Sequence, residues 1–373
     1  MKAGVFGGAF DPPHKEHINI CLAAQEELNL DRVVLVPSGV QPHKTSAVSP
    51  NIRLEMVRAA VRPYRKLIID DTEIKYSRIG YASEILPLMQ IKYGEFIYIL
   101  GGDSLLSLRY WMRPDIVLTY PIAVAVREGR IKEVMEEIEY FKETYNANIR
   151  LLKYKSSDIS SSDIRARLEL NKYVNEYIPE TVLKIITDNN LYSEFRPMVD
   201  KVRKMVSEKT FSHIERTVIK AFEYNRLVGL PYDKVFNAAL LHDIGKEIYG
   251  GKYIHKIPSD VVDTPVMHAF VGAEIAREEF AVLDTEILNA IRYHTTGRAR
   301  MTQLEALIFI ADMTEDGRDF EGVSKIRTMS ASSIILAFLA CVESKYEHLI
   351  NSDTDMHPLT RECYNYYINK EIQ

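Results

Sequence analysis

The chain has 373 residues, 46% of them apolar and 27% charged, with a formal net charge of −5 and only 17 glycines and 15 prolines. That length predicts two domains or three, and that composition argues against long disordered linkers. Neither half has a basic excess, which argues against a nucleic-acid partner, and the longest apolar run, Ile334 to Val342, is nine residues against the roughly 20 a membrane span needs.

The start, Met1-Lys2-Ala3-Gly4, leads into Val5-Phe6 without a signal-peptide core, so a cytoplasmic protein with no membrane partner is expected. Cys21, Cys341 and Cys363 are scattered and form no CxxC pair, which supports neither a disulfide framework nor a thiolate zinc site. Three of the ten histidines precede residue 195 and seven follow it. That division hints at different chemistry in the two parts.

Short β-rich runs at Ala3–Phe6, Arg32–Pro37, Leu67–Asp71, Phe96–Leu100, Ile122–Val126 and Asn148–Tyr154 alternate with amphipathic stretches at Ile18–Leu28, Ile52–Arg62, Ala82–Ile91 and Ile131–Tyr145. The alternation predicts an α/β domain, a parallel sheet covered by helices on both faces, over residues 1–194. Beyond Phe195-Arg196-Pro197 the strand signals stop. Apolar residues recur at helical spacing over Met198–Val206, His213–Leu227, Lys234–Leu241, Thr264–Glu278, Asp284–Tyr293, Thr302–Met313 and Ser330–Leu349, which predicts an all-α domain over residues 195–373.

The first strand runs into Gly7-Gly8-Ala9-Phe10-Asp11-Pro12-Pro13-His14-Lys15-Glu16-His17. Glycines there let backbone N–H groups approach a phosphate. Pro13 suits a first helical turn, and His14 and His17, three apart, share one face at a helix start. Two imidazoles beside the positive end of a helix dipole make a clamp for a polyphosphate. The bland reading, a tight turn only, suffices for the glycines but not for the paired histidines.

These residues resemble the nucleotidyltransferases with the HxGH signature and, more narrowly, the bacterial nicotinate-nucleotide adenylyltransferases (the NadD family). Pro42-His43-Lys44, Gly101-Gly102-Asp103-Ser104-Leu105 with Leu108 and Trp111, Ile159-Ser160-Ser161-Ser162-Asp163-Ile164-Arg165, and Tyr177-Ile178-Pro179 with Leu191-Tyr192 extend the match to about residue 192. The resemblance implies a Rossmann-like fold and transfer of AMP from Mg-ATP to nicotinate mononucleotide. His14 and His17 would be catalytic. Gly7, Gly8, Phe10, Lys44, Asp103, Trp111, Ser160, Ser161, Ser162 and Arg165 would bind nucleotide. The serines can cap a helix while facing phosphate, Arg165 can pair with phosphate, and Trp111 can stack on a pyridine ring. Glu16 stands where the signature has Gly, and Gly80–Leu86 lacks the Ser and two Thr of the family's segment. A second reading therefore stays open, in which this domain only binds nucleotide and the following domain alone is catalytic.

In the helical part, His213, His242-Asp243, His268, His294 and Asp312 sit on or at the ends of apolar helical stretches. Polar groups there are costly to bury unless paired or metal-bound, and four His with two Asp and no Cys suit a divalent metal such as iron, manganese, magnesium or zinc. His255, His348 and His357 read as ordinary residues. The ordered set resembles the HD-domain phosphohydrolases. Leu241-His242-Asp243-Ile244-Gly245-Lys246, Tyr293-His294-Thr295-Thr296-Gly297 and Ala311-Asp312-Met313-Thr314-Glu315 with Gly317-Arg318 resemble the YqeK group, which hydrolyses diadenosine tetraphosphate to two ADP. By that resemblance one metal would use His213, His242, Asp243 and Asp312, and a second His268 and His294 with Asp243 bridging, iron placed first. Lys246 would stabilise transition-state charge, and Arg318 and Arg327 would hold distal phosphates. A cyclic-dinucleotide phosphodiesterase would need a Gly-Tyr-Pro signature, which the Tyr293-His294-Thr295 context does not supply. The expected partners are small nucleotides, with a homo-oligomer left open.

Overall fold

The computed structural model describes residues 2–40, 47–76, 80–248, 251–330, 333–352 and 355–369. The chain divides into two compact units, Met1–Ser193 and Glu194–Gln373.

In the N-terminal unit the Val- and Ile-rich runs become six strands: β1 (Ala3–Gly8), β2 (Arg32–Pro37), β3 (Leu67–Ile69), β4 (Phe96–Gly101), β5 (Ile122–Val126) and β6 (Ile149–Lys155). They lie in the order β3-β2-β1-β4-β5-β6, every neighbouring pair parallel. Successive residues point to opposite faces. Phe6, Val33 and Leu35 pack with α1 (Lys15–Glu27), α2 (Pro50–Val61), α5 (Ser161–Glu169) and α6 (Glu180–Asp188). Val5, Val34 and Val36 pack on the other face with α3 (Ala82–Tyr93) and α4 (Ile131–Tyr145). Both faces of the central strands are buried, so β1, β2, β4 and β5 are near-continuous apolar runs, while edge strand β6 exposes Arg150, Lys153 and Lys155.

Strand β3 stops at Ile69, two residues short of the expected end. Asp70 turns the chain there: its carboxylate accepts from the Thr72 amide at 3.0 Å and from the Tyr93 hydroxyl at 2.7 Å, a side-chain turn that ends the ladder. From β1 the chain moves outward through β2 to β3, then returns to β4 on the far side of β1. The connections on either side of that switch point diverge and open a crevice at the carboxyl ends of the strands.

The C-terminal unit is helical: α7 (Arg196–Met205), α8 (Glu208–Val228), α9 (Tyr232–Leu241), α10 (Met267–Glu279), α11 (Thr285–Tyr293), α12 (Gln303–Thr314), α13 (Val323–Ser330), α14 (Ile334–Asn351) and α15 (Pro358–Tyr364). Helix α8 shows the sequence logic. Ser207 caps it, accepting from the Thr210 amide at 3.3 Å, and Gly229 ends it in the left-handed region. Phe211, Ile214, Val218, Ala221 and Phe222 fall on one stripe and are buried, as a core-facing helix requires. The helix expected over Ser330–Leu349 starts four residues later, at Ile334, and runs to Asn351; Ser330 is instead the last residue of α13. Ser333 caps α14, accepting from the Leu336 amide at 3.3 Å, and a serine bonded this way starts a helix rather than continuing one. No helix among the described residues is long and apolar enough to cross a membrane.

Candidate active sites

In the N-terminal unit a cleft of about 880 Å³ opens at the carboxyl ends of the strands, lined by Gly7, Gly8, His14, His17, Asp103, Trp111, Ser160 to Ser162 and Arg165 among others. His14 is the N-cap of α1, so Pro13 lies just before the helix and not in its first turn. The His14 amide donates to His17 Nδ1 at 3.1 Å, and the two rings lie 3.7 Å apart between centroids. His14 Nδ1 is buried and, among the described residues, has no hydrogen-bond partner. An orphaned buried imidazole nitrogen facing a cleft is a binding feature rather than a packing one. Phe10 is 1% exposed and packs edge-on against Phe6 and His17. It therefore buttresses His17 while also lining the cleft.

Ser160 caps α5, accepting from the Asp163 amide at 3.2 Å. Ser161 donates to the Pro12 carbonyl at 2.9 Å, and Arg165 donates to the Asp11 carbonyl at 2.6 Å and to Ser162 Oγ at 3.2 Å. The serine segment is thus tied to the histidine loop from 150 residues away in the chain. Trp111 lines the cleft, its indole N–H donating to Ser107 Oγ at 3.1 Å. Lys44 lies outside the described residues. Asp103 is held by two arginines that sequence reading missed, Arg127 at 2.9 Å and Arg130 at 3.0 Å. Their signal was position: Arg127-Glu128-Gly129-Arg130 directly follows β5, at the end of the sheet where ligands bind.

Two departures from the family pattern have local explanations. The Glu16 carboxylate is buried and accepts from the Tyr154 hydroxyl at 3.0 and 3.1 Å. At Gly80 a Cβ would lie 2.0 Å from Glu73 Oε2, so a serine there would have to displace that carboxylate. Burial pushes the Glu73 carboxyl up to about 7.

Burial lowers the His17 pKa to about 3, and burial together with His17 and Arg127 lowers that of His14 well below its usual value. The unfolded chain takes up protons near pH 6.5 that these folded histidines refuse. Their contribution to stability is full above about pH 6.5 and shrinks as pH falls toward 3. Trp111, the single tryptophan, reports on this unit. Urea unfolding followed by its fluorescence should show less stability at pH 5 than at pH 7, and His17→Asn should reduce that difference by about 2 kcal/mol. An unchanged difference would show that His17 does not refuse the proton.

In the C-terminal unit five helices converge on one point. His213 projects from α8, His242 closes α9 with Asp243 beside it, His268 is the second residue of α10, His294 closes α11, and Asp312 lies on α12. Close backbone approach sets the geometry. A Cβ on Gly245 would lie 2.3 Å from the His268 carbonyl oxygen and 2.7 Å from the Gly272 nitrogen. Glycine there lets the turn after Asp243 press against the start of α10, and a methyl would part them.

Asp243 sits at the centre, 1% exposed. Its Oδ2 lies 3.5 Å from His213 Nε2 and 3.8 Å from His242 Nε2. Its Oδ1 lies 3.4 Å from both His268 Nε2 and His294 Nε2. Asp312 Oδ1 is 2.9 Å from His213 Nε2 and 4.0 Å from His242 Nε2. The donor atoms of His213, His242 and Asp312, and those of His242, Asp243 and His294, each fall within 4.8 Å of one another. His242, His268 and His294 spend Nδ1 on backbone carbonyls, leaving Nε2 to the centre. His213 and His242 face each other Nε2 to Nε2 at 3.2 Å, a contact that needs a proton or a cation between the lone pairs. This donor set fits divalent cations. Burial opposes protonation of His213, but Asp312 and Glu315 outweigh it and raise its pKa to about 9. Burial also opposes ionisation of Asp243, yet His242, His294 and Lys246 hold its carboxyl well below the usual range.

Lys246 donates to Asp243 at 3.1 Å with its side chain 44% exposed. Arg318 donates to the Asp312 carbonyl at 2.9 Å and to its carboxylate, so it orients that carboxylate. Arg327 gives its guanidinium to the carbonyls of Thr314, Glu315 and Arg318 at 2.7 to 2.9 Å. It braces the loop after α12. A second cleft, about 1050 Å³, is lined by Thr295, Asp312, Arg318, Phe320, Lys345 and His348 among others. Lys345, unmarked by any motif, was also missed.

A strand-ordered nucleotide cleft and a helical His/Asp cluster define a nucleotidyltransferase-like domain followed by an HD domain. The cytidylyltransferase-like family matches residues 5–167, and the HD domain matches residues 210–316. A probable nicotinate-nucleotide adenylyltransferase of Clostridium botulinum (strain Alaska E43 / Type E3) is 33% identical over 195 residues, 51% of this chain and 98% of the relative. Its counterpart in Clostridium acetobutylicum is 38% identical over 197 residues, with the same shares. The chain therefore belongs, through its first half, to the nicotinate-nucleotide adenylyltransferase family. Among solved structures, one from Clostridium acetobutylicum described as a predicted HD superfamily hydrolase involved in NAD metabolism is 26% identical, covering 48% of this chain and 98% of that one at a TM-score of 0.44.

Proposed function

We propose that the chain carries two enzymes. The N-terminal unit transfers AMP from Mg-ATP to nicotinate mononucleotide, releasing pyrophosphate and forming deamido-NAD. The C-terminal unit uses two divalent cations to hydrolyse diadenosine tetraphosphate symmetrically to two ADP.

Family membership and the His14–His17 pair support the first activity. An oxygen of the mononucleotide phosphate attacks the α-phosphorus, and the bond from that phosphorus to the β-bridging oxygen breaks. The nucleophile is already an anion, so no general base is needed. Catalysis then rests on placing positive charge and N–H donors around the phosphates. His14 and His17 face those charges, and Arg127 and Arg130, paired with Asp103, supply cations at the rim. Because the Glu16 carboxylate is spent on Tyr154, Glu16→Gly should leave pyrophosphate release within about threefold of the parent. ATP binding without turnover in the parent, with turnover restored by Glu16→Gly, would make this unit a binding module instead.

One observation carries the second activity: Asp243 presents one oxygen to His213 and His242 and the other to His268 and His294. His213, His242, Asp312 and Asp243 would hold one cation, and His268, His294 and Asp243 the other. Bound there, a cation pair lowers the pKa of a water and neutralises phosphate charge. In symmetrical cleavage the water oxygen ends on one ADP, and the other leaves with the central bridging oxygen. Lys246 stands half-exposed beside Asp243, placed to meet developing negative charge, while Arg318 keeps Asp312 in line. Iron is placed first among the metals by the resemblance. ADP release from diadenosine tetraphosphate, with metal analysis of the same preparation, tests the reading. Asymmetric products, ATP and AMP, would overturn the substrate assignment.

A further inference from the structure

Three of the four clustered histidines share one device. His242, His268 and His294 each set Nδ1 2.7 to 2.8 Å from the carbonyl three residues earlier, on Ala239, Pro265 and Ile291. His213 departs from it: its Nδ1 lies 3.1 Å from Glu315 Oε1. Glu315 is 2% exposed, and its Oε2 accepts from the Gly317 amide at 2.6 Å and from Arg216 Nε. A Cβ on Gly317 would lie 2.6 to 2.8 Å from the Arg216 guanidinium, so the glycine makes room for the arginine that pins Glu315.

A carboxylate partner makes an imidazole a stronger metal donor than a neutral carbonyl does. The two sides also differ in composition. His213, His242 and Asp312 gather on one side with Asp243 Oδ2, while Oδ1 faces His268 and His294, whose side shares His242, its donor atom within 4.8 Å of those of Asp243 and His294. We infer that Glu315, held by Arg216, makes the two cation positions unequal: a tight one at His213 and an exchangeable one at His268. The inference rests on the two-cation reading above. Glu315 acts as a positioning residue, through His213.

The test is calorimetric titration of the chelator-stripped full-length chain with Mn²⁺. The parent should bind two ions with dissociation constants at least about tenfold apart. Glu315→Gln should weaken the tighter by about 10- to 100-fold and leave the weaker in place. His268→Ala should remove the weaker event alone. Gly317→Ala, which keeps every polar group and crowds only Arg216, should shift the tighter event in the same direction by less, and it decides the matter if Glu315→Gln does not fold. Equal affinities in the parent, or a tighter event unmoved in Gly317→Ala and in a folded Glu315→Gln, overturn the inference. No Mn²⁺ binding at all overturns the two-cation reading instead.

Discussion

On the two-cation reading proposed above, replacing Asp243 with alanine should remove both cations at once and lower hydrolysis of diadenosine tetraphosphate on the order of a thousandfold or more. The size follows from position. Asp243 is the only cluster member whose two oxygens face different histidine pairs, so each proposed site loses its shared anion. Four buried or half-buried imidazoles remain around Asp312 alone, too little negative charge for two divalent ions. His268→Ala, by contrast, takes one ligand from one side and should retain one ion. Metal analysis per chain, read beside ADP release, separates the two variants. Far-UV circular dichroism of the same protein, dominated by the helical unit, shows whether that unit is folded. An Asp243→Ala protein that keeps two ions would refute the shared role.

The second large effect is expected at His17. His17→Ala should reduce the rate constant for pyrophosphate release by about 10²- to 10³-fold while the KM for ATP changes little, the signature of an interaction made in the transition state. His17 is backed by Phe10 at a centroid distance of 5.0 Å and accepts from the His14 amide at 3.1 Å, so its ring is fixed before substrate arrives. His14→Ala should behave similarly, and the double variant should lose much less than the product of the two losses, because the rings act as one clamp. A rise in KM with an unchanged rate constant would assign His17 to uniform binding.

The fold class was legible because burial on both sheet faces writes uninterrupted Val and Ile runs into the sequence, and a core-facing helix such as α8 writes a stripe. Residue chemistry at fixed places also showed: the glycine turn with its two histidines, and the dispersed His and Asp set. What stayed hidden was pairing across the fold. Asp103 and Arg127 meet because β4 and β5 are parallel neighbours, which no local pattern states. Glu315 sat inside a quoted motif, but its contact with His213 spans 102 residues. Arg327 was expected on phosphate through the family resemblance, which says nothing of the three carbonyls it also meets at the turn after α12. The start of α14 was placed four residues early because apolar residues alone set the expected bounds, whereas the Ser333 hydroxyl, accepting from the Leu336 amide, fixes the start at Ile334.

The most direct test of the two-cation centre is X-ray diffraction from crystals grown with Mn²⁺, recorded on both sides of the manganese absorption edge. Two anomalous peaks are expected, one among His213, His242 and Asp312 and one against His268 and His294, with the Asp243 carboxylate between them. An empty cluster, or manganese bound only elsewhere on the chain, would contradict the account.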